Sequence, residues 1–276
     1  MINLFNYIDR PSPIHRLTGA TKLVCTVLCT FAAMVTYDTR LLLLMSLLSL
    51  VLFRISKIRF RDVKVLVIAT LIFLLLNNIT VYIFSPQYGV KIYGTKHVII
   101  GGDASFALTQ EQLFYHLNLI LKCLAQVPVI LLFITTTNPS EFAASLNKIG
   151  VSYKISYAVA LTLRYIPDIQ REYVDISQAQ QARGIEMSKK ESLIQRLKSA
   201  SAILIPLIMT SMDRIEVISN AMELRGFGKN KKRTWYVARR FEKWDYLAMA
   251  GCALLFIASV AGIFINGSRF YNPFLE

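Results

Sequence analysis

Apolar residues in this chain gather into long unbroken blocks rather than alternating with polar ones. Five blocks approach the length a helix needs to cross a hydrocarbon core, about 20 residues at 1.5 Å rise each. They run over about Thr21–Tyr37, Leu41–Ile55, Val65–Phe84, Leu117–Thr135 and Tyr246–Ile265. The first two are short and joined only by Asp38-Thr39-Arg40, which predicts a tight helical hairpin. Strands of a membrane β-barrel would alternate apolar and polar positions, so the blocks predict an all-α, polytopic helical membrane protein with about five spans. Residues 1–20 are polar, hold Pro11, Pro13 and Gly19, and do not read as a cleavable signal peptide.

The pattern changes between the fourth and fifth blocks. At Asn138–Trp244 the apolar period becomes helical. Asn138 or Ser140 caps a short helix, Pro139 suits its first turn, and Gly150 ends it. From Val151 to Arg183, Ile155, Val159, Ile166, Ile169, Tyr173 and Ile176 recur at roughly helical spacing. A second such run extends from about Glu191 to Arg225. Each predicts a helix of roughly 45–50 Å, with Pro167 and Pro206 expected to bend or divide it. The ends are too charged to span a bilayer. The block "SAILIPLIMTSM", however, is apolar enough to need cover, so Ile203, Leu204, Leu207 and Ile208 are expected to pack at the interface or under the membrane bundle. Two long amphipathic helices crossing on the cytosolic side satisfy both features.

Each long helix ends on the same device. "QQARGIEMSKK" and "NAMELRGFGKNKK" both bring the helix to an Arg-Gly pair, then an apolar residue, then lysines, with Arg183 and Arg225 forty-two positions apart. Gly184 and Gly226 suit the left-handed residue that closes a helix. Taken singly, such an arginine complements the helix dipole, worth about 0.3–1 kcal/mol. As a pair, Ala182-Arg183-Gly184 and Leu224-Arg225-Gly226 read as two docking tips. A planar guanidinium grips a carboxylate at two points, and two equivalent tips fit two similar partner subunits.

Charge sets the expected orientation. Arg10, Arg16 and Lys22 precede the first block, and Arg54, Lys57, Arg59, Arg61 and Lys64 face a single acid, Asp62, in the second loop. In Ser85–Glu111, Lys91 and Lys96 are balanced by Asp103 and Glu111. By the positive-inside rule the N-terminus and residues 138–244 are expected to be cytosolic, Ser85–Glu111 external, and the C-terminal tail outside. The composition agrees with this: 54% hydrophobic residues, 17% charged, against roughly a quarter charged in soluble domains. A net charge of +14 reads here as orientation signal and attraction to the anionic lipid bilayer, not as a nucleic-acid surface.

At the paired ends and around them the chain resembles the transmembrane coupling (T) component of energy-coupling factor transporters, ATP-driven importers of vitamins and transition-metal ions. The resemblance covers nearly the whole chain: "SPIHRL…TK" at Ser12–Lys22, "TTNPSEFAASLNKIGVSYKISYAVALTLRYIPDI", "QQARG", and "IPLIMTSMDRIEVISNAMELRGFG". It implies a bacterial or archaeal cell membrane, and that two ATP-binding cassette ATPase subunits grip the two Arg-Gly tips. It also implies that a small membrane-embedded substrate-binding (S) component carries specificity for a vitamin or other micronutrient. Thr18-Gly19-Ala20 departs from the Asp-Pro usual after the "HRL" motif. Leu224 stands where a small residue is common, which bears on the fit to a particular ATPase.

Little else in the sequence carries chemistry. No Walker-type phosphate loop is present, so hydrolysis is expected on partner subunits and this chain reads as non-catalytic. Cys25, Cys29, Cys123 and Cys252 lie in apolar blocks and His15, His97 and His116 are scattered; no metal site and no cofactor is expected. Asn77, Asn78, Asn118, Lys122 and Gln126 read as interhelical hydrogen-bonding groups, with a translocation path at Lys122 as the alternative. Asp168, Glu172 and Asp175 with Arg164 and Arg171 read as a solvated ion-pair face. The organisation expected is a four-span bundle (1–137), a cytosolic coupling domain (138–244), and a last span with its tail (245–276). The competing functional reading is an integral membrane enzyme or anchor whose basic loop "RISKIRFRDVK" meets an acidic substrate.

Overall fold

The computed structural model describes residues 10, 12–100, 106–185, 193–230 and 234–274. Ten helices are described: α1 Pro13–Arg16, α2 Gly19–Val35, α3 Thr39–Ile55, α4 Phe60–Phe84, α5 Tyr88–Tyr93, α6 Gln110–Thr136, α7 Pro139–Lys148, α8 Tyr153–Ala182, α9 Leu193–Leu224 and α10 Lys243–Ile265. A two-stranded antiparallel ribbon, β1 Val98–Ile100 and β2 Leu108–Thr109, interrupts them. The chain divides into two units, one of residues 1–138 with 239–276 and the other of 139–238.

In the first unit, α4, α6 and α10 are long and apolar enough to cross a membrane. Their exposed surface is itself apolar, as at Phe73, Leu75, Leu254 and Phe264, which is what a lipid-facing helix requires. Small residues let the backbones approach. Ala32 and Ala33 of α2, Leu42 and Met45 of α3 and Ala125 of α6 form one buried cluster, and Ile58, Val63 and Leu132 another.

Polar pairs fix the helix directions. Lys22 Nζ donates to Thr136 O at 2.8 Å and Lys122 Nζ to Met34 O at 2.9 Å, so α2 and α6 run antiparallel. Thr39 meets Asn118 at 2.7 Å and Ser49 Oγ meets Leu124 O at 2.8 Å, so α3 runs with α6. Asn78 Oδ1 lies 2.8 Å from His116 Nδ1 while Val63 packs near Leu132, so α4 opposes α6. At α10, Asp245 Oδ1 accepts from Thr18 N at 2.9 Å, and Asn266 Nδ2 donates to Asp38 Oδ2 at 2.9 Å. Helices α2 and α10 are therefore parallel, and the five long helices alternate in direction. Thr18 to Asp38 spans the same height as Asp245 to Asn266, about 30 Å at 1.5 Å per residue. The seventeen-residue α2, with Thr18 before it and residues 36–38 after it, thus reaches as far as residues 245–266.

Asp245 is almost wholly buried. One oxygen closes a capping box with Glu242 N at 2.9 Å, and the other caps the start of α2 through Thr18. A single carboxylate so terminates two helices, each of which would leave bare N–H groups in a low-dielectric setting. At the opposite end the segment after α10 folds back. Tyr37 N donates to Arg269 O at 2.9 Å, Tyr37 and Phe270 stack at 4.6 Å, and Asn272 Nδ2 donates to Tyr93 O at 2.9 Å. Phe274 packs against Tyr93, Phe114 and His97.

The expected external connection carries more structure than an irregular loop. Gly89 of α5 lies so close to α6 that a Cβ would come within 2.5 Å of Glu111 O. Glu111, fully buried, accepts from Thr95 Oγ1 at 3.0 Å and from His97 N at 3.0 Å. The basic second loop is ordered as well: Arg10 pairs with Asp62 at 2.8 Å and donates to Lys57 O at 2.5 Å.

Candidate coupling surface

The second unit is built on α7, α8 and α9. Helix α7 starts on Pro139 and closes at Gly150, φ +106°. Helix α8 starts on the Ser152 side chain, which accepts from Ile155 N. Pro167 and Pro206 lie inside continuous helices and divide neither. Gln180 Nε2 donates to Ala202 O at 3.2 Å, Glu172 pairs with Arg214 at 2.7 Å, and Tyr157 packs on Phe227 at 4.9 Å. As the α8 number falls the α9 number rises, so the two long helices are antiparallel.

Antiparallel pairing puts the two Arg-Gly ends at opposite ends of the helix pair. They are also conformational twins. Gly184 N donates to Gln181 O at 2.9 Å and Ile185 N to Gln180 O at 3.1 Å; Gly226 N donates to Glu223 O at 2.8 Å and Phe227 N to Met222 O at 2.9 Å. These are the two bonds of a Schellman motif, with arginine as the last half-helical residue in each. Gly184 and Gly226 sit at φ +83° and +65° with open space where a Cβ would go. The dihedral, not crowding, demands glycine. The end of α7 uses the same two bonds, Gly150 N to Asn147 O and Val151 N to Leu146 O, but carries Ile149 where the others carry arginine. The closing motif is therefore general in this unit, and the exposed arginine is what distinguishes the long helices.

Ala182, Arg183 and Gly184 are exposed, as are Leu224, Arg225 and Gly226; Leu224 is 91% exposed. The apolar residues after the glycines behave differently. Ile185 and Phe227 are half-buried, and Phe227 packs against Tyr153 and Tyr157 of its own unit. Of the four apolar α9 positions expected to pack, Ile203 is buried, Leu207 half-buried, and Leu204 and Ile208 exposed. The exposed ones belong to a stripe of Leu204, Ile208, Met212 and Ile215 at three- and four-residue spacing, with Leu197 two turns before it. That is one exposed apolar face on α9.

Other candidate groups fall where polar geometry explains them. Asn118, Lys122 and Gln126 bond to neighbouring helices, Lys122 also lying 3.5 Å over the Tyr37 ring. Asn78 meets His116, whereas Asn77 is exposed. Glu172 departs from the local ion-pair reading: its partner is Arg214 on α9, because a facing helix offers a less solvated arginine than its own does. Asp168 keeps the local pairing, 4.0 Å from Arg171. Sequence spacing also hid a thiol cluster. Cys25 and Cys29, one turn apart on α2, face Cys252 of α10, with the Cys29 and Cys252 sulfurs 3.6 Å apart. The i, i+4 spacing was visible in the sequence, but its partner more than two hundred residues away was not. Lys189, within the basic segment after the first Arg-Gly, lies outside the described residues.

Comparison with known proteins matches residues 10–236 to the family described as Cobalt transport protein, CbiQ. The chain is 28% identical over 273 residues to the energy-coupling factor transporter transmembrane protein EcfT of Streptococcus equi subsp. equi, covering 95% of this chain and 94% of that one. It is 24% identical over 279 residues to EcfT of Thermosediminibacter oceani, covering 96% and 98%. A shorter stretch is 34% identical to EcfT of Leuconostoc gelidum subsp. gasicomitatum, covering 42% and 46%. With a family match over most of its length, twin arginine-tipped helices and an apolar bundle, the chain belongs to the CbiQ family and is a transmembrane (T) component of an energy-coupling factor transporter.

Proposed function

We propose that this chain is the coupling subunit of an ATP-driven importer, transmitting ATPase movement to a separate S component that binds a vitamin or other micronutrient. The observation that carries the reading is the matched pair of exposed arginines, each held on the same helix-closing motif at opposite ends of one antiparallel helix pair. Two equal tips at a fixed separation suit two similar ATPase subunits. When the subunits close, force applied at both tips acts on one stiff pair of helices rather than on two loops. The exposed apolar stripe of α9 is a seat for the S component, whose membrane-embedded surface is expected to be apolar too. Residues 138–244 are cytosolic in this reading, and hydrolysis takes place on the ATPases.

The test is ATPase retention on the detergent-solubilised complex. Truncating one partner of a buried charged contact costs about 2–5 kcal/mol. Arg183→Ala or Arg225→Ala alone weakens one grip while the other holds the pair by high effective concentration. The double variant releases both ATPases. Lysine in both places rescues poorly, since it carries the charge without the planar fork. Full retention by the double alanine variant would sink the coupling role, and full rescue by lysine would leave the arginines as dipole partners only.

A further inference from the structure

Beyond the second Arg-Gly end the chain builds a pocket. After Gly226 it returns across its own unit, and Trp235 Nε1 donates to Asn147 Oδ1 of α7 at 3.1 Å. This tie holds the Thr234–Val237 segment over α8 and the end of α9. The space enclosed is about 640 Å³, larger than one side chain and within the range of ligand pockets. Tyr153, Tyr157 and Tyr165 of α8 line it together with Phe227 and Trp235, the latter 6.4 Å from the Tyr157 ring. Arg164 and Arg225 also line it, and among the described residues no Asp or Glu does. Arg164 is exposed and makes no ion pair among the described residues.

We infer that this pocket is a receptor for an acidic segment of the ATPase gripping the second end, one that sets a carboxylate beside an aromatic or long apolar side chain. The inference rests on the coupling role proposed above and narrows the partner's chemistry at one of its two tips. Three observations choose the occupant. The lining carries two guanidinium groups and no acid among the described residues, so it complements an anion. Most of the remaining lining is aromatic or aliphatic, with Tyr153, Tyr157, Phe227 and Trp235 beside Leu161 and Ile218, and such walls hold apolar or ring side chains. Its wall is shared with the docking tip: Ala221, Met222 and Arg225 belong both to the end of α9 and to the pocket lining. A protein that meets Arg225 therefore meets a residue of this pocket's lining. The ATPase contact at the second end thus combines a charged fork with a filled pocket.

The test places retention on the second end alone by working in an Arg183→Ala complex of full-length chain and ATPases. Arg164→Glu reverses the exposed charge, and Ala160→Trp fills the space from α8. Each variant should lower ATPase retention about tenfold or more there, equivalent to at least about 1.4 kcal/mol. In an Arg225→Ala complex, where the first end holds, the same changes should leave retention within about twofold, roughly 0.4 kcal/mol. A photo-crosslinking residue at the fully exposed Tyr236 should capture an ATPase peptide with Asp or Glu adjacent to an aromatic or long apolar residue. Retention unchanged in the Arg183→Ala complex would overturn the pocket while leaving the coupling role standing. Equal loss in both complexes would overturn it as general damage to the unit. Capture of the S component or of a peptide without an acid would refute the occupant. If ATPases stay bound even without both arginines, the pocket and the coupling role fall together.

Discussion

At the scale of single residues, arginine and glycine divide the work of each helix tip. Glycine supplies a left-handed backbone that alanine adopts only at a cost of about 1 kcal/mol or more, and so fixes where the helix stops. Arginine, exposed one position earlier, is then aimed by the closing bonds. Cysteine shows the reverse case, where spacing on one helix meant little until a second helix was placed. Because the Cys29 and Cys252 sulfurs lie 3.6 Å apart, copper-phenanthroline treatment of the solubilised protein should consume two of its four thiols. Cys252→Ser should protect them, and maleimide counting after denaturation reads the result. Four free thiols in treated wild type would mean that α2 and α10 do not meet at this level.

At the scale of elements, α8 and α9 hold one another by few but distributed contacts, with Glu172–Arg214 at the middle of the pair. Both side chains are largely shielded, 19% and 35% exposed, so the pair is stronger than a surface salt bridge and weaker than a core one. A coupling energy of about 1–2 kcal/mol is expected from a double-mutant cycle with Glu172→Gln and Arg214→Met, read by thermal unfolding in detergent. A coupling near zero would show that the remaining contacts, Gln180 with Ala202 and Tyr157 with Phe227, hold the pair without it. The local alternative for Glu172 was legible in the sequence and wrong, because i, i+4 rules describe an isolated helix and a facing helix overrides them. Helices α7, α8 and α9, by contrast, ended where glycine placed them.

At the scale of the whole molecule, direction is the informative quantity. The hydrogen bonds within the first unit make its five long helices alternate, and the orientation proposed above rests on the basic second loop. A single cysteine at exposed Gln87 should therefore react with an impermeant maleimide in intact cells. One at exposed Asn230 should react only after permeabilisation, with the wild-type chain as control for its native thiols. The opposite pattern would invert the proposed orientation and remove the arginine tips from any cytosolic ATPase.

What the sequence determined by itself was chiefly local. Apolar blocks near the bilayer length marked five helices, of which α4, α6 and α10 are long and apolar enough to cross a membrane. Helical periodicity gave α8 and α9, and Arg-Gly marked both tips, since each signal arises within one stretch of chain. The tertiary structure decided everything that needs two distant stretches at once. It set the antiparallel run of α8 and α9 that sends the tips to opposite ends, and the shared Asp245 cap. It also made the ribbon and aromatic packing over the Ser85–Glu111 connection, where short segments have no period to read. The pocket beside Arg225 belongs here too. Its walls come from α8, α9 and the segment after them, and no single stretch contains enough of it to carry a pattern.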